Sequence, residues 1–169
     1  MTLRITWTLL HLKGRGRSCG RWRNQTSTDL KTMGMYTGLR ARLIIKEEFW
    51  PVVTMLNLST HSRSWKSVAS AFPQYPFLRN WAEVWQSDFI PFGALSYVPW
   101  SRDDPAWQRS FKDGLWVFQC SLKNHEGEIE FFVETVLPHI THARVELYSL
   151  YEENDEPEQL FIPEVGDEG

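Results

Sequence analysis

Residues 115–123, LWVFQCSLK, decide the fold because their side chains alternate between apolar and more polar types. One phase of this stretch carries Trp116, Phe118, Cys120 and Leu122. The other phase carries Val117, Gln119, Ser121 and Lys123. A period of two residues is typical of a β-strand with one buried face. The stretch therefore predicts a strand whose apolar phase faces the core.

The residues that follow this strand change to the period of a helix. Asn124 is a favourable N-cap, and Glu126 and Glu128 would lie near the positive N-terminal end of the helix dipole. Apolar side chains then recur at spacings of three and four: Ile129, Phe132, Val133, Val136, Leu137 and Ile140. This pattern predicts a helix that packs on the strand. The core between them would contain Trp116, Phe118, Phe132 and Val136.

The rest of the chain predicts three more strands and three more helices. Alternation favours strands over residues 36–46, 91–100 and 143–151, and helical spacing favours helices over 51–56, 65–72 and 77–85. The order strand, helices, strand, strand, helix, strand is that of the split β-α-β arrangement of ferredoxin-like domains. We therefore expect an α+β fold with a four-stranded antiparallel sheet, helices on one face and the other face open.

The net charge of -3 combines three regions of different sign. Residues 1–34 hold seven basic side chains against one acidic one, whereas the last 18 residues hold eight acidic side chains and no basic one. Residues 35–151 are nearly neutral and contain the apolar periodicity. We expect residues 35–151 to form the α+β domain and residues 152–169 to form an acidic disordered tail.

The basic leader, residues 1–34, shows no apolar periodicity after Leu12. We favour an over-extended start, with the functional protein beginning at Met33 or Met35. The Arg-rich, acid-poor composition leaves a transit peptide or a nucleic-acid-binding arm as alternatives. We expect the leader to be disordered and dispensable for folding.

Cysteine content and hydropathy predict the compartment. Cys19 and Cys120 are too few for a disulfide framework, which favours a reducing environment. No apolar run approaches the ~18 to 20 residues needed to span a bilayer. We therefore expect a cytoplasmic protein that makes no use of a membrane.

The open face of the predicted sheet offers charged, amide and aromatic side chains. It would carry Arg40 and Arg42 from the first strand, Gln119 from the third and Tyr148 from the fourth. Such a surface suits ligand or partner recognition, although half-exposed antiparallel sheets commonly show the same residue types to water.

RNA recognition is disfavoured even though RNA-recognition domains share this strand order. The chain lacks their basic-Gly-aromatic sequence, and Trp116 and Phe118 belong to the buried phase. Residues 35–151 also lack the basic footprint on which phosphate affinity depends. We do not expect nucleic acid to be a partner.

The loop before the LWVFQCSLK strand is rich in tryptophan and arginine. Trp100, Arg102, Trp107 and Arg109 lie within ten residues of one another. These are the residue types that dominate binding hot spots. We expect either a binding loop or, as the alternative, indole rings folded back as lids on the core.

Catalytic, cofactor and metal sites are not predicted. His139 and His142 have HxxH spacing, but a metal site would need further ligands, and histidines near a helix C-terminus more often contact free carbonyl groups. Nucleophile-elbow, phosphate-loop and dinucleotide-binding glycine patterns are missing from the sequence.

The favoured hypothesis is a non-enzymatic binding protein, an acidic partner or inhibitor of another protein, of the immunity or host-directed type. Its binding residues would be Trp100, Arg102, Trp107, Arg109, Arg40, Arg42, Gln119 and Tyr148. The alternative is a small-ligand-binding or enzymatic ferredoxin-like domain that uses the open sheet face, with a homodimer left open.

Overall fold

A computed structural model describes residues 35–58, 64–93, 100–101 and 103–163. In this part of the chain five strands form one antiparallel sheet in the order β2-β3-β1-β4-β5. The strands are β1 (Thr37–Ile45), β2 (Ser110–Lys112), β3 (Leu115–Leu122), β4 (Thr141–Tyr151) and β5 (Glu158–Gln159). The mixed α+β class is confirmed, and β1 is the central strand.

Helices occupy the connections between the strands. They are α1 (Trp50–Asn57), α2 (Trp65–Ala71), α3 (Pro76–Ala82), α4 (Phe89–Phe92), α5 (Glu128–Thr135) and α6 (Leu137–Ile140). Proline stands in the first turn of α1 and of α3, where its missing N–H costs no hydrogen bond. Within the described ranges, no helix has the length and apolarity needed to cross a membrane.

The core lies between the helices and one face of the sheet. The apolar phases of β1 and β3 pack with helical side chains in a single buried cluster. Trp65 of α2 and Trp81 of α3 contact Phe132 of α5 at ring-centroid distances of 6.0 and 5.1 Å. The four predicted core residues, Trp116, Phe118, Phe132 and Val136, are all fully buried.

The number of strands corrects the predicted four-stranded sheet. Residues 110–112, predicted as loop, form β2 and pair with β3 across the two-residue turn Asp113-Gly114. Both turn residues have positive φ, 51° and 80°, as a tight hairpin turn with the right-handed strand twist requires. In the second predicted strand, 91–100, Pro91 and Phe92 belong instead to α4. Residues 94–99 lie outside the described residues.

Two helix boundaries also differ from the prediction. The last predicted helix begins at Glu128, not next to Asn124, and a turn at Val136 divides it into α5 and α6. Asn124 still binds this helix, because its Oδ1 accepts a hydrogen bond from the N–H of Ile129 at 2.9 Å. The predicted helix over 77–85 ends at Ala82.

The C-terminal segment after Tyr151 returns along the edge of the sheet. Residues 158–159 form β5 on the edge of β4, and the N–H of Leu160 donates to the carbonyl of Leu147 at 3.0 Å. Leu160 and Ile162 pack against the core cluster, which explains why this segment follows the sheet. The predicted leader and residues 164–169 lie outside the described residues.

Adjacent phenylalanines on α5 provide a test of this core. Phe132 is fully buried, whereas Phe131 is 38% exposed and stacks on Trp81. We expect Phe132→Ala to lower the free energy of unfolding by about 3–5 kcal/mol, because it leaves a cavity. Phe131→Ala, the matched control, should cost about 1 kcal/mol. Urea denaturation of the full chain measures both, and equal losses would contradict the assigned helix face.

Candidate functional site

The sheet face opposite the helices brings predicted binding residues together in two cross-strand rows. In the first row Arg40 of β1 is the register partner of Gln119 on β3 and of Tyr148 on β4. In the second row Arg42 is the partner of Val117 on β3 and of Glu146 on β4. Side chains that face one another across strands interact directly. The register of β1 therefore determines which groups surround each arginine.

Two indole rings alternate with the two guanidinium groups on this face. The guanidinium carbon of Arg40 lies 4.6 Å from the ring centroid of Trp100 and 4.7 Å from that of Trp107. The guanidinium carbon of Arg42 lies 4.3 Å from the Trp107 ring centroid. We call Trp100, Arg40, Trp107 and Arg42 the Arg–Trp stack.

The geometry of a β-strand accounts for this stack. Residues two apart on a strand point to the same face at a spacing of about 6.7 Å. At that spacing one flat ring can contact the guanidinium groups of both residues. A cation over an aromatic face contributes about 0.5–1 kcal/mol when exposed and about 2 kcal/mol when shielded from water. Arg40 and Arg42 thus form a binding slot for the indole of Trp107.

Hydrogen bonds attach the loop to Arg42 and to Gln119. Arg42 donates to Oε1 of Glu146 and to the backbone carbonyl of Ala106, both at 2.9 Å. Arg40 Nε donates to Oε1 of Gln119 at 3.1 Å. The amide nitrogen of Gln119 donates to the carbonyl of Ser101 at 3.4 Å. The loop is therefore attached to the sheet at both of its ends.

Arg40 is held in a poorly solvated position. Burial lowers the pKa of its guanidinium from the ordinary value, an effect that Asp104 opposes, Arg42 reinforces and Glu146 opposes. Its Nη2 atom is buried and has no hydrogen-bond partner among the described residues. Arginine nevertheless stays protonated at neutral pH, so the stack holds two positive charges against two carboxylates.

The sheet face is covered, which corrects the prediction of an open face. Trp107 is 8% exposed and Gln119 is 6% exposed, and Ser121 is fully buried. The indoles folded back as lids, the alternative considered from sequence, although they close the second face of the sheet and not the helical core. Tyr148 is half-buried beside Arg40.

The outer side of the same loop is exposed to solvent. Asp104 begins the short 3-10 turn Pro105–Trp107, and its Oδ1 accepts a hydrogen bond from the N–H of Ala106 at 3.0 Å. Pro105, Gln108 and Arg109 are exposed. Arg109 lies over the ring of Phe92 at 4.8 Å, and burial lowers the pKa of its guanidinium. Arg102, another predicted binding residue, lies outside the described residues.

The histidines of the HxxH sequence have different surroundings. His139 stacks on Phe77 of α3 with ring centroids 4.4 Å apart. His142 instead lies at the start of β4 beside a surface groove. In the described part of the chain no group of three or more His, Cys, Asp or Glu side chains is placed to hold a metal ion. Cys120 is fully buried, and burial raises the pKa of its thiol.

Sequence reasoning missed the groups that fasten the loop. Glu146, which forms an ion pair with Arg42, was not among the predicted binding residues. The carbonyls of Ser101 and Ala106 are acceptors that no side-chain pattern can reveal. One sequence signal could have indicated such groups. Arg40 and Arg42 lie two residues apart on one strand, and buried guanidinium groups require hydrogen-bond acceptors nearby.

A double-mutant cycle tests the link between loop and sheet. Arg42→Met, Trp107→Leu and the double variant should show a coupling energy of about 1 kcal/mol, because each single change removes the same contact. Urea denaturation of the full chain measures each free energy of unfolding. The control cycle pairs Trp107→Leu with Arg79→Met, an exposed arginine on α3, and should be additive within about 0.3–0.5 kcal/mol. Equal coupling in both cycles would rule out the stack as the link.

Comparison with known proteins assigns no family to this arrangement. The chain matches no protein family model, no curated protein and no solved structure. Its function is therefore inferred from its own residues and their geometry.

Proposed function

We propose that this protein is a non-enzymatic binding protein, a partner or inhibitor of another protein, that docks through the loop from Trp100 to Arg109. One observation supports it most: the indole of Trp107 contacts the guanidinium groups of both Arg40 and Arg42, while neighbouring side chains of the loop are exposed to solvent. The loop is held by contacts with the sheet, and several of its other side chains are exposed to a partner.

Fixing a loop before binding raises affinity. Association must overcome the loss of freedom of every segment that becomes ordered at the interface. Here the carbonyl of Ala106 is already held by Arg42, and the N–H of Ala106 by Asp104. A partner would meet a shaped surface on a sheet scaffold, the arrangement that suits precise recognition.

The outward side chains have the chemistry of a protein-binding surface. Pro105 and Ala106 expose small apolar area, while Asp103, Gln108 and Arg109 supply a carboxylate, an amide and a guanidinium. Arginine is enriched among residues that dominate interface energies. The Arg109 guanidinium is already partly desolvated over Phe92, which lowers the cost of covering it.

A small-ligand or enzymatic role for the sheet face receives less support. That role requires a cavity around Arg40 and Gln119, and the loop fills this space with the indole of Trp107. A ferredoxin-like topology stays a proposal, supported by the antiparallel order β4-β1-β3 that such a split β-α-β sheet requires. Inhibition and a cytoplasmic location are likewise parts of the proposal.

The test is capture of partners from the native host with the full chain as bait. Four baits are compared by quantitative mass spectrometry: wild type, the loop variant Gln108→Ala with Arg109→Ala, and the controls Arg79→Ala and Trp85→Ala. Arg79 is an exposed arginine on α3, and Trp85 is an exposed indole, 71% accessible, outside the loop. All baits must first unfold at the same temperature as wild type.

We expect a protein partner to be retained by wild type and both controls and lost by the loop variant. With the purified partner, the loop variant should raise Kd at least about tenfold, which corresponds to about 1.4 kcal/mol. Loss with Trp85→Ala alone would place the interface elsewhere and contradict docking through the loop. Retention of the partner by all four baits would contradict it as well.

A further inference from the structure

A groove of about 470 Å³ lies beside the first residues of β4. Its walls include Lys46 after β1, Thr141, His142 and Arg144 of β4, and Phe161 and Pro163 of the C-terminal segment. Grooves of this size accommodate small ligands or short peptide segments. The groove is formed because residues 158–163 return along β4.

Lys46 and Arg144, two basic side chains that line the groove, each donate a hydrogen bond to a backbone carbonyl. Lys46 Nζ donates to the carbonyl of Pro138 at 3.1 Å. Arg144 donates to the carbonyl of Leu160, and its guanidinium carbon lies 4.4 Å from the ring centroid of Phe161. Each contact uses one N–H group of a side chain that has three in lysine and five in arginine. Further donors remain for a ligand.

The charge of these cations is not neutralised within the described residues. The ion pairs formed there join Arg42 to Glu146 and Lys66 to Glu83, and neither includes a cation of the groove. No carboxylate lines the groove where it is described. Lys46 and Arg144 therefore bring positive charge to a concave site at which the described residues supply no counter-ion.

Thr141 is a second, independent sign of a missing partner. It lines the groove and is 8% exposed, and its hydroxyl oxygen is buried without a hydrogen-bond partner among the described residues. An unsatisfied buried hydroxyl costs about 1–3 kcal/mol. Rotation about χ1 moves the hydroxyl to another staggered position, from which it can donate to a ligand in the groove.

We propose that this groove is an anion-binding site, for a phosphate or carboxylate group held by Lys46 and Arg144 with the Thr141 hydroxyl as a third donor. Charge-assisted hydrogen bonds to an oxyanion suit a guanidinium and an ammonium group. The site is independent of the loop from Trp100 to Arg109.

The anion has two candidate sources with the same chemistry. One is a free phosphate-bearing ligand. The other is the chain itself, because the sequence continues after Pro163 with Glu164, Asp167 and Glu168. Carboxylates at these positions would compete with an added anion for the same donors.

The test is titration of the full chain with inorganic phosphate at constant ionic strength, followed by backbone amide chemical shifts. We expect saturable shifts at residues 141–144 and 161–162. Arg144→Gln and Lys46→Met should each raise Kd at least about tenfold, since each removes a charged donor. Thr141→Val, which keeps the shape of the side chain, should raise Kd about threefold or more. Arg79→Gln, the control, should leave Kd within about twofold.

A further variant distinguishes the two sources. If tail carboxylates occupy the groove, the variant Glu164→Gln, Asp167→Asn, Glu168→Gln should bind phosphate more tightly than wild type. Unchanged affinity in that variant would indicate a free ligand. Shifts that never saturate, or that persist in Lys46→Met and Thr141→Val with wild-type Kd, would overturn the proposal even if Arg144→Gln fails to fold.

Discussion

The central position of β1 is the constraint on which the rest of the structure depends. Because β1 pairs with β3 on one edge and β4 on the other, its side chains can leave the sheet only through its two faces. Leu39 and Leu43 meet the helices on one face, and the other face must accommodate two arginines. Guanidinium groups at the middle of a sheet need acceptors, and here Gln119, Glu146 and a loop carbonyl supply them. Covering this second face is what places the loop.

Sequence patterns predicted the elements that are long and periodic, and missed those whose formation depends on neighbours. The alternation of LWVFQCSLK and of the strand around Arg40 was sufficient to place β3 and β1 and to divide their faces correctly. The strand β2 spans only Ser110–Lys112, too few residues for a period to be visible, and the Asp113-Gly114 turn was its one signal. In the C-terminal segment the abundance of acids hid the apolar pair Leu160 and Ile162, which follow the sheet.

In the candidate site, the sequence likewise predicted which residues take part but not how they are buried. Trp and Arg content identified the loop, and strand phase brought Arg40, Gln119 and Tyr148 into one row. Which side of an indole faces water is decided by tertiary contacts, so the burial of Trp107 could not be inferred from the loop sequence. The groove beside Arg144 was missed for a related reason, because its walls come from three segments that are distant in sequence.

The return of residues 158–163 along β4 affects how readily the edge of the sheet could pair with another chain. An unpaired strand edge offers N–H and C=O groups to any other extended chain, and evolved sheets protect such edges. β5 covers β4 at Tyr148 and Ser149, and Leu160 extends the protection to Leu147. A chain cut after Tyr151 would lose this cover and bare the apolar surface beneath Leu160 and Ile162. The C-terminal segment thus reduces the number of unpaired backbone groups that this edge offers to another extended chain.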